Sequence, residues 1–176
     1  MRDVIVLLSG GLDSTVLATS ALRVGRLRAC VSARYGQPNM EAEMGASRRW
    51  CDANKVDRVV VDSPLAGVNQ MRLGVGESGS RLMPGRNLTL IAHAVQFAAA
   101  VSASEVQIGA CADDHADYPD CRPEFVAAAD TLAQTYGVRV TAPYLYLRKP
   151  DIVGIARGLG VDIEATWSCY EPRSVG

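Results

Sequence analysis

The segment at residues 4–14 has the sequence VIVLLSGGLDS, which predicts a buried strand, a tight turn and a helix in direct succession. The apolar run at 4–8 is typical of a strand buried on both faces. Gly10 and Gly11 let the backbone turn sharply and approach a ligand closely. A helix that begins near Asp13 would present its positive end and its unpaired amides at this turn. We therefore expect an anion-binding loop directly after the first strand.

The side chains of this loop indicate which anion it binds. The hydroxyls of Ser9 and Ser14 add donors for a phosphate, whereas the carboxylate of Asp13 would repel one. Mg2+ between carboxylate and phosphate oxygens would remove that conflict, so we expect a magnesium contact at Asp13. The alternative is a plain turn in which Asp13 only caps the helix. The predicted phosphate-binding residues are Ser9, Gly10, Gly11, Leu12, Asp13 and Ser14.

Beyond the loop, short β-branched runs alternate with longer, alanine-rich amphipathic stretches. This alternation is typical of βαβ units, so we expect an α/β fold: a doubly wound, five-stranded parallel sheet with helices on both faces. We also expect the apolar helix at 87–102 to be buried on several faces and to pack centrally on the sheet. The predicted strands are 4–8, 28–35, 58–62, 105–110 and 138–143, and the predicted helices lie near 13–24, 40–54, 87–102, 123–136 and 149–158.

The composition predicts a single domain over residues 1–176. The chain is 48% hydrophobic and 21% charged, which suits one soluble globular domain. Its formal net charge of -1 supplies no overall positive field for a polyanion, so we expect no direct nucleic-acid binding. The 5 cysteines include no CxxC pair, which favours a reducing cytoplasm over a disulfide framework. The first apolar run is too short for a signal peptide or a membrane span.

Two connections are longer than simple turns in an α/β domain. The stretch at 63–86 carries five glycines and is predicted to be a mobile loop beside the site. The stretch at 111–122 is rich in aspartate and follows the fourth predicted strand, where open parallel sheets bind their ligands. Both should emerge at the carboxyl edge of the sheet, together with the loop at 9–14.

The loop at 9–14 matches neither GxxxxGK[ST] nor GxGxxG, so neither γ-phosphate transfer nor NAD is indicated. It resembles instead the pyrophosphate loop of ATP pyrophosphatases of the PP-loop type. Four further stretches follow in the order of the signatures of one family within that class, and together they span residues 9–170. They are YGQ at 35–37, PGRN at 84–87, YPDCRPEF at 118–125 and TWSCY at 166–170. The chain thus resembles the 7-cyano-7-deazaguanine synthase family.

The resemblance implies an ATP-dependent ligase that converts 7-carboxy-7-deazaguanine and ammonia to the nitrile through adenylated intermediates, for queuosine or for deazaguanine-modified nucleic acids. It also implies ATP and Mg2+ as requirements and a homodimer as the assembly. Two alternatives remain open. One is a related ligase that stops at the amide or uses another acid, and the other is a nucleotide-binding protein without turnover.

Three residues are predicted to act on the phosphates: Asp13, Lys149 and Arg86. Lys149 is one of only two lysines in the chain and follows the last predicted strand at the ligand edge, although most lysines are simply solvated. Arg86 could neutralise the α-phosphate or the substrate carboxylate by a bidentate contact, or it could merely cap a loop.

The heterocycle is predicted to bind the segment at 113–122. Tyr118 offers a stacking face, Asp113 or Asp120 could accept paired N–H donors, and Arg122 could bind the carboxylate. The alternative is an acidic, solvated loop. The predicted substrate set also contains Tyr35, Gln37 and Trp167, the last of which would be a core or partner-surface residue on general grounds.

The chain departs from the family in two places. The family follows its YGQ with Arg-His, whereas this chain has Pro38 and Asn39, so an imidazole that could carry a proton is lost. In the family, the cysteine that corresponds to Cys169 looks like the first of four zinc ligands, but the sequence ends at Gly176 within a short tail at 165–176. Either the rest of the tail is absent from this sequence or the protein dispenses with zinc.

Overall fold

Five parallel strands form one sheet in the computed structural model, which describes residues 3–37, 39–63 and 83–167. The sheet order is β3-β2-β1-β4-β5, and every neighbouring pair is parallel. The strands are β1 (Val4–Leu7), β2 (Leu27–Arg34), β3 (Asp57–Asp62), β4 (Glu105–Gln107) and β5 (Arg139–Thr141). The predicted doubly wound parallel sheet is confirmed. Most of the predicted mobile loop at 63–86 and the zinc ligand predicted at Cys169 lie outside the described residues.

Five helices connect and cover the described strands. They are α1 (Leu12–Arg23), α2 (Met40–Asn54), α3 (Arg86–Ala100), α4 (Pro123–Ala133) and α5 (Lys149–Leu159). Short 3-10 turns lie at Ala112–Asp114, Pro119–Cys121 and Gln134–Tyr136. None of the helices within the described ranges is long and apolar enough to cross a membrane.

The core has two layers because successive side chains of a strand point to opposite faces of the sheet. On β1, Ile5 belongs to the cluster built with α3 and α4, whereas Val4 and Val6 belong to the cluster built with α1 and α5. All three side chains are fully buried. The sheet is therefore covered on both faces, which is why its strands are apolar runs rather than alternating ones.

The burial of α3 differs from the sequence prediction. This helix packs on β1 and β4 at the centre of the sheet, as predicted. It is buried along one face only, at Ile91, Ala94, Val95 and Ala98, while Leu88 is 48% exposed. The prediction of burial on several faces was wrong, because alanine is small enough to be tolerated on an exposed face without a partner.

The last two strands, β4 and β5, are shorter than predicted. For β4, the reason is a contact with the loop that follows β1. After β4 the chain turns away from the sheet, and Gly109 packs against the first turn of α1. A Cβ added to Gly109 would lie 3.0 Å from the backbone nitrogen of Ser14. The predicted strand at 105–110 therefore ends early so that its continuation can contact the loop that follows β1.

Candidate active site

A cavity of about 410 Å³ opens at the carboxyl edge of the sheet. β1 lies between β2 and β4, so the loops after β1 and β4 diverge and leave a crevice between them. The floor of the crevice consists of the ends of these three strands, including Leu8, Ala33 and Ile108. The cavity brings together the loop at 9–14, part of the stretch at 111–122 and Arg86, while most of the stretch at 63–86 lies outside the described residues.

Residues 9–14, the phosphate loop, form one wall of the cavity. Gly11 is the residue before α1, so the first amides of that helix have no acceptor within the helix. The hydroxyls of Ser9 and Ser14 lie 3.0 Å apart, and the Gly11 amide donates to the Ser9 hydroxyl at 3.2 Å. The loop therefore presents hydroxyl and amide donors beside the positive end of α1, which suits a phosphate.

Gly10 fits this loop only because it has no side chain. Its φ is +91°, in the region that favours glycine, and an added Cβ would lie 2.5 Å from the Glu43 carbonyl oxygen. The loop consequently packs directly on the backbone of α2. Gly10 itself lies behind the loop rather than on the cavity wall.

Lys149 reaches the phosphate loop from the start of α5. Its ammonium contacts a carboxylate oxygen of Asp13 and lies 3.8 Å from Asp114. The other oxygen of Asp13 is buried and has no hydrogen-bond partner among the described residues. Asp13, Asp114 and Cys111 offer ligand atoms within 4.8 Å of one another. The ammonium of Lys149 thus lies beside two carboxylates, and the oxygens of Asp13 and Asp114 are close enough together to bind a further cation.

Burial and charge act together on this pair. Burial raises the pKa of Asp13, against the hydrogen bond and the charge of Lys149, and the charges of Asp114 and Asp113 raise it further. Burial opposes the charged form of Lys149, but Asp13 and Asp114 outweigh it and hold the pKa of Lys149 well above its usual range. The ammonium therefore stays charged at neutral pH, as a phosphate ligand requires.

The wall beside the phosphate loop contains a carboxylate that was not among the predicted site residues. Glu43, in the first turn of α2, lines the cavity beside Tyr35 and Gln37. Its carboxylate accepts a hydrogen bond from the Gln37 side chain at 2.9 Å. Burial raises the pKa of Glu43, while Gln37 and the charge of Arg86 lower it. No sequence motif indicated Glu43, because its position depends on how α2 crosses the phosphate loop.

The PGRN motif at 84–87 and the start of the YPDCRPEF motif at 118–125 are joined by hydrogen bonds beside the cavity. The backbone amide of Asn87 donates to the Asp120 carboxylate at 3.1 Å, and the Asn87 side chain donates to the Asp120 carbonyl at 3.0 Å. Asp120 therefore supplies an acceptor at the start of α3. This contact fixes Arg86, whose guanidinium lies 5.8 Å above the ring of Tyr118. Arg86 and Tyr118 both line the cavity, as predicted.

The structure does not bring Asp113, Asp120 and Arg122 to the cavity wall. The Asp113 carboxylate accepts from the backbone amide of Lys149 at 2.7 Å, so it orients the start of α5. Asp120 is buried and holds α3, as described above. Arg122 donates to the His115 carbonyl at 2.8 Å within its own loop. Their predicted contacts with the heterocycle and its carboxylate are therefore not supported by their positions.

Trp167 lines the cavity, although its residue type alone favoured a core or partner-surface role. Its backbone amide donates to the Gly10 carbonyl at 2.9 Å. Its indole nitrogen is buried and has no hydrogen-bond partner within the part of the chain that the structure describes. The last described segment of the chain is thus attached to the phosphate loop.

The two cysteines at the site are poor nucleophiles. Burial raises the pKa of Cys121 to about 12, and burial together with Asp114 raises the pKa of Cys111. Both thiols therefore stay protonated at neutral pH. The cysteines of the described ranges are all free and buried, and they offer no group of four thiols for a tetrahedral zinc ion.

The strand order and the phosphate loop define a class, the PP-loop ATP pyrophosphatase fold. Among solved structures, the U34-tRNA thiolase NcsA from Methanococcus maripaludis matches with a TM-score of 0.67 and 14% identity, over 97% of this chain and 61% of that one. The NH3-dependent NAD synthetase from Campylobacter jejuni matches with a TM-score of 0.59 and 16% identity, over 95% and 70%. At these identities the likeness shows the fold alone.

Sequence comparison identifies the family within this class. The family model described as "Queuosine biosynthesis protein QueC" matches residues 3–176. The 7-cyano-7-deazaguanine synthase of Solidesulfovibrio magneticus is 34% identical over 99% of this chain and 84% of its own length. That of Synechococcus elongatus is 36% identical over 97% and 82%. The chain belongs to the QueC family, and the resemblance inferred from its motifs is confirmed.

Proposed function

We propose that this chain is an ATP-dependent ligase that converts 7-carboxy-7-deazaguanine and ammonia to 7-cyano-7-deazaguanine. The observation that carries the proposal is the phosphate loop with the Asp13 and Lys149 pair, in one cavity with the YGQ and PGRN motifs and Tyr118. The relatives named for this activity align with 99% and 97% of this chain. An enzyme for small molecules fits a cavity of about 410 Å³.

The chemistry explains why a phosphate site is needed. A carboxylate resists attack by ammonia, because it is already anionic and has no adequate leaving group. Adenylation by ATP supplies that leaving group and releases pyrophosphate. The amide that forms must lose its oxygen to become a nitrile, and adenylation of that oxygen makes its departure feasible. One ATP site serves both steps.

The residues of the phosphate loop bind the β- and γ-phosphates, which become the leaving pyrophosphate. The amides at the start of α1 and the hydroxyls of Ser9 and Ser14 donate to the phosphate oxygens, and Lys149 neutralises their charge. Arg86 is placed to neutralise the α-phosphate or the acid carboxylate. Preorganised donors and the proximity of the acyl adenylate to ammonia supply most of the rate acceleration.

The donor set fits Mg2+ as a partner of ATP. The buried Asp13 oxygen without a hydrogen-bond partner and the nearby Asp114 carboxylate are hard oxygen ligands of the kind that Mg2+ prefers. The ion, when bound, supplies positive charge where a carboxylate and phosphates would otherwise repel each other. Covalent catalysis by Cys111 or Cys121 is not part of the proposal, because burial keeps both thiols protonated.

One departure from the family favours a second candidate, a ligase that stops at the amide. Asn39 replaces the imidazole that the family places after YGQ, and an amide cannot carry a proton at neutral pH. Asn39 is buried, so water has limited access to take over this role. We keep the nitrile as the final product, because the phosphate site needed for the second adenylation is present.

The test measures pyrophosphate release and product mass. With 7-carboxy-7-deazaguanine, ammonium and ATP, we expect pyrophosphate release that depends on the acid and a product with the mass of the nitrile. A product with the mass of the amide would support the second candidate. Pyrophosphate release that is unchanged when the acid is omitted would contradict both.

We further propose that the enzyme is a cytoplasmic homodimer that acts on free small molecules and does not bind nucleic acid. The free thiols of the described cysteines support the location and the net charge of -1 supports the lack of nucleic-acid binding, while the dimer rests on the family resemblance. Light scattering of the purified protein tests the dimer, and a mass equal to one chain would contradict it.

A further inference from the structure

Three carboxylates line the described part of the cavity wall: Asp13, Glu43 and Asp114. Two of them belong to the phosphate end. Asp13 contacts Lys149, and Asp114 accepts from the amide and the thiol of Cys111 at 3.3 and 3.2 Å. Glu43 lies on a different element, α2, and has no cation in hydrogen-bond contact among the described residues. Its role in the cavity is therefore separate from the phosphate site.

The orientation of Gln37 fixes one oxygen of Glu43. The Gln37 carbonyl oxygen accepts the backbone amide of Tyr35 at 3.0 Å. Because a backbone amide can only donate, the amino group of Gln37 must point the other way. There it donates to the Ala33 carbonyl at 3.3 Å and to the Glu43 carboxylate at 2.9 Å. One oxygen of Glu43 is thus engaged, and within the described ranges no donor pairs with the other.

Electrostatics excludes a direct phosphate contact for Glu43. A carboxylate beside a phosphate raises the energy of both anions, and the repulsion grows in a sheltered cavity. A half-buried carboxylate with a vacant acceptor position instead favours N–H donors. A guanine-type heterocycle offers two adjacent donors, the ring N1–H and the 2-amino group. The adenine of ATP has an acceptor at its ring N1, so it cannot satisfy the same acceptor in the same way.

We propose that Glu43 recognises the N1–H and 2-amino edge of the deazaguanine acid, and that Gln37 positions its carboxylate. This inference rests on the proposed function, since it needs a guanine-type substrate. It transfers to Glu43 the role that the sequence analysis gave to Asp113 or Asp120, whose carboxylates hold α5 and α3. Glu43 selects the acid and leaves the affinity for ATP unchanged.

The first experiment uses the wild-type enzyme and needs no mutation. Calorimetry compares 7-carboxy-7-deazaguanine with the analogue that lacks the 2-amino group. Loss of one hydrogen bond to a charged acceptor should weaken binding by about ten to a hundredfold. Equal affinity for the two acids would overturn the inference, while acid-dependent pyrophosphate release would still support the proposed function. Failure of the wild type to bind or use either acid would contradict the proposed function itself.

The second experiment compares Glu43→Gln with Glu41→Gln, a matched change at an exposed position of the same helix. Glu43→Gln should weaken the deazaguanine acid by about ten to a hundredfold, keep ATP affinity within about twofold, and abolish the preference for the acid with the 2-amino group. Glu41→Gln should behave as wild type. A Glu43→Gln enzyme that loses ATP affinity, or that changes only its Michaelis constant for ammonium, would overturn the inference. A merely structural role for Glu43 would not change the ratio of affinities for the two acids.

Discussion

At the scale of single residues, Asp13 shows how a site can use an unfavourable arrangement. Its carboxylate lies beside the proposed phosphate site, and burial and the neighbouring carboxylates raise its pKa. Lys149 offsets part of this cost, but the second carboxylate of Asp114 leaves the group short of positive charge. A further cation would supply the missing positive charge. The electrostatic energy of the site is therefore lower when its ligands are bound.

Asp13→Ala should leave the protein folded and reduce pyrophosphate release by at least about a hundredfold. The substitution removes the oxygen available to Mg2+ and frees Lys149 to contact Asp114 more closely. Asp117→Ala is the control, because Asp117 is an exposed carboxylate on a neighbouring loop of the same edge. Pyrophosphate release near the wild-type rate in Asp13→Ala would show that Asp13 is only structural.

Some residues could be assigned from sequence and others could not, for a physical reason. Asp13 follows a strand and a glycine pair, so its place is set by its immediate neighbours. Asp120 was predicted to contact the heterocycle, yet its carboxylate accepts from Asn87, 33 positions earlier in the chain. An aspartate that caps a distant helix and one that contacts a ligand have the same sequence surroundings. Glu43 was missed for the complementary reason, because it enters the cavity through a tertiary contact.

At the scale of elements, the site depends on the close approach of the phosphate loop to α2. The missing side chain of Gly10 permits this approach, and the backbone of Glu43 lies where a Cβ would be. The loop and the wall that contains Glu43 are therefore a single packed unit. A change that separates them should disturb nucleotide and acid binding together.

Gly10→Ala should destabilise the protein and weaken ATP binding, because the added Cβ combines a strained φ with a 2.5 Å contact to a backbone oxygen. The matched control is Gly154→Ala inside α5, where an added Cβ meets nothing within 4 Å. That control should stabilise the protein by about 0.5 to 1 kcal/mol, since alanine is the better helix former. Urea unfolding and ATP titration measure both effects. Wild-type stability and ATP affinity in Gly10→Ala would contradict this account of the loop.

The elements themselves were predicted well, and their ends less well. Helices and strands follow from periodicity within each segment, and all ten described elements lie where periodicity placed them. The early end of β4 depends on Gly109 meeting the backbone of α1, a contact between segments far apart in sequence. The one-sided burial of α3 likewise depends on what covers it. Such features are set by tertiary packing, which a pattern of residue types does not contain.

At the scale of the whole molecule, the carboxyl ends and the amino ends of the strands have different functions. The carboxyl edge holds the cavity, while the amino edge holds an ion-pair network. Arg26 bridges Asp3 and Glu105 at 3.2 and 2.8 Å, and Glu105 also accepts from Thr141 at 2.6 Å. This network joins the beginnings of β1, β2 and β4 to Thr141 at the end of β5. It should affect stability without affecting chemistry.

Glu105→Gln should lower the free energy of unfolding near neutral pH by about 1 to 2 kcal/mol and leave pyrophosphate release unchanged. Burial opposes the ionised form of Glu105, but its hydrogen bonds with Thr141, Gln107 and Arg26 outweigh burial and lower its pKa. A carboxyl whose pKa is lower in the folded state stabilises the fold above its unfolded pKa, and this contribution is lost as the pH falls through the folded value. The difference between wild type and variant should therefore shrink in acid.

Urea unfolding at neutral pH and near pH 3 tests this prediction, with Glu164→Gln as the control at an exposed carboxylate. A difference that is constant from neutral pH into acid would show that the charge of Glu105 is not responsible. Loss of activity in Glu105→Gln would show that the two edges are not independent.

The attachment of Trp167 to the phosphate loop has an optical consequence. The chain contains 2 tryptophans, and the other, Trp50, donates to the Thr19 hydroxyl at 3.1 Å and does not line the cavity. The indole of Trp167 lies on the cavity wall, and its backbone amide bonds to Gly10. The fluorescence of Trp167 should therefore change in emission wavelength or intensity when nucleotide binds. In a Trp50→Phe protein, Trp167 would be the remaining tryptophan, so its intrinsic fluorescence would report the binding of each substrate in real time without an added label.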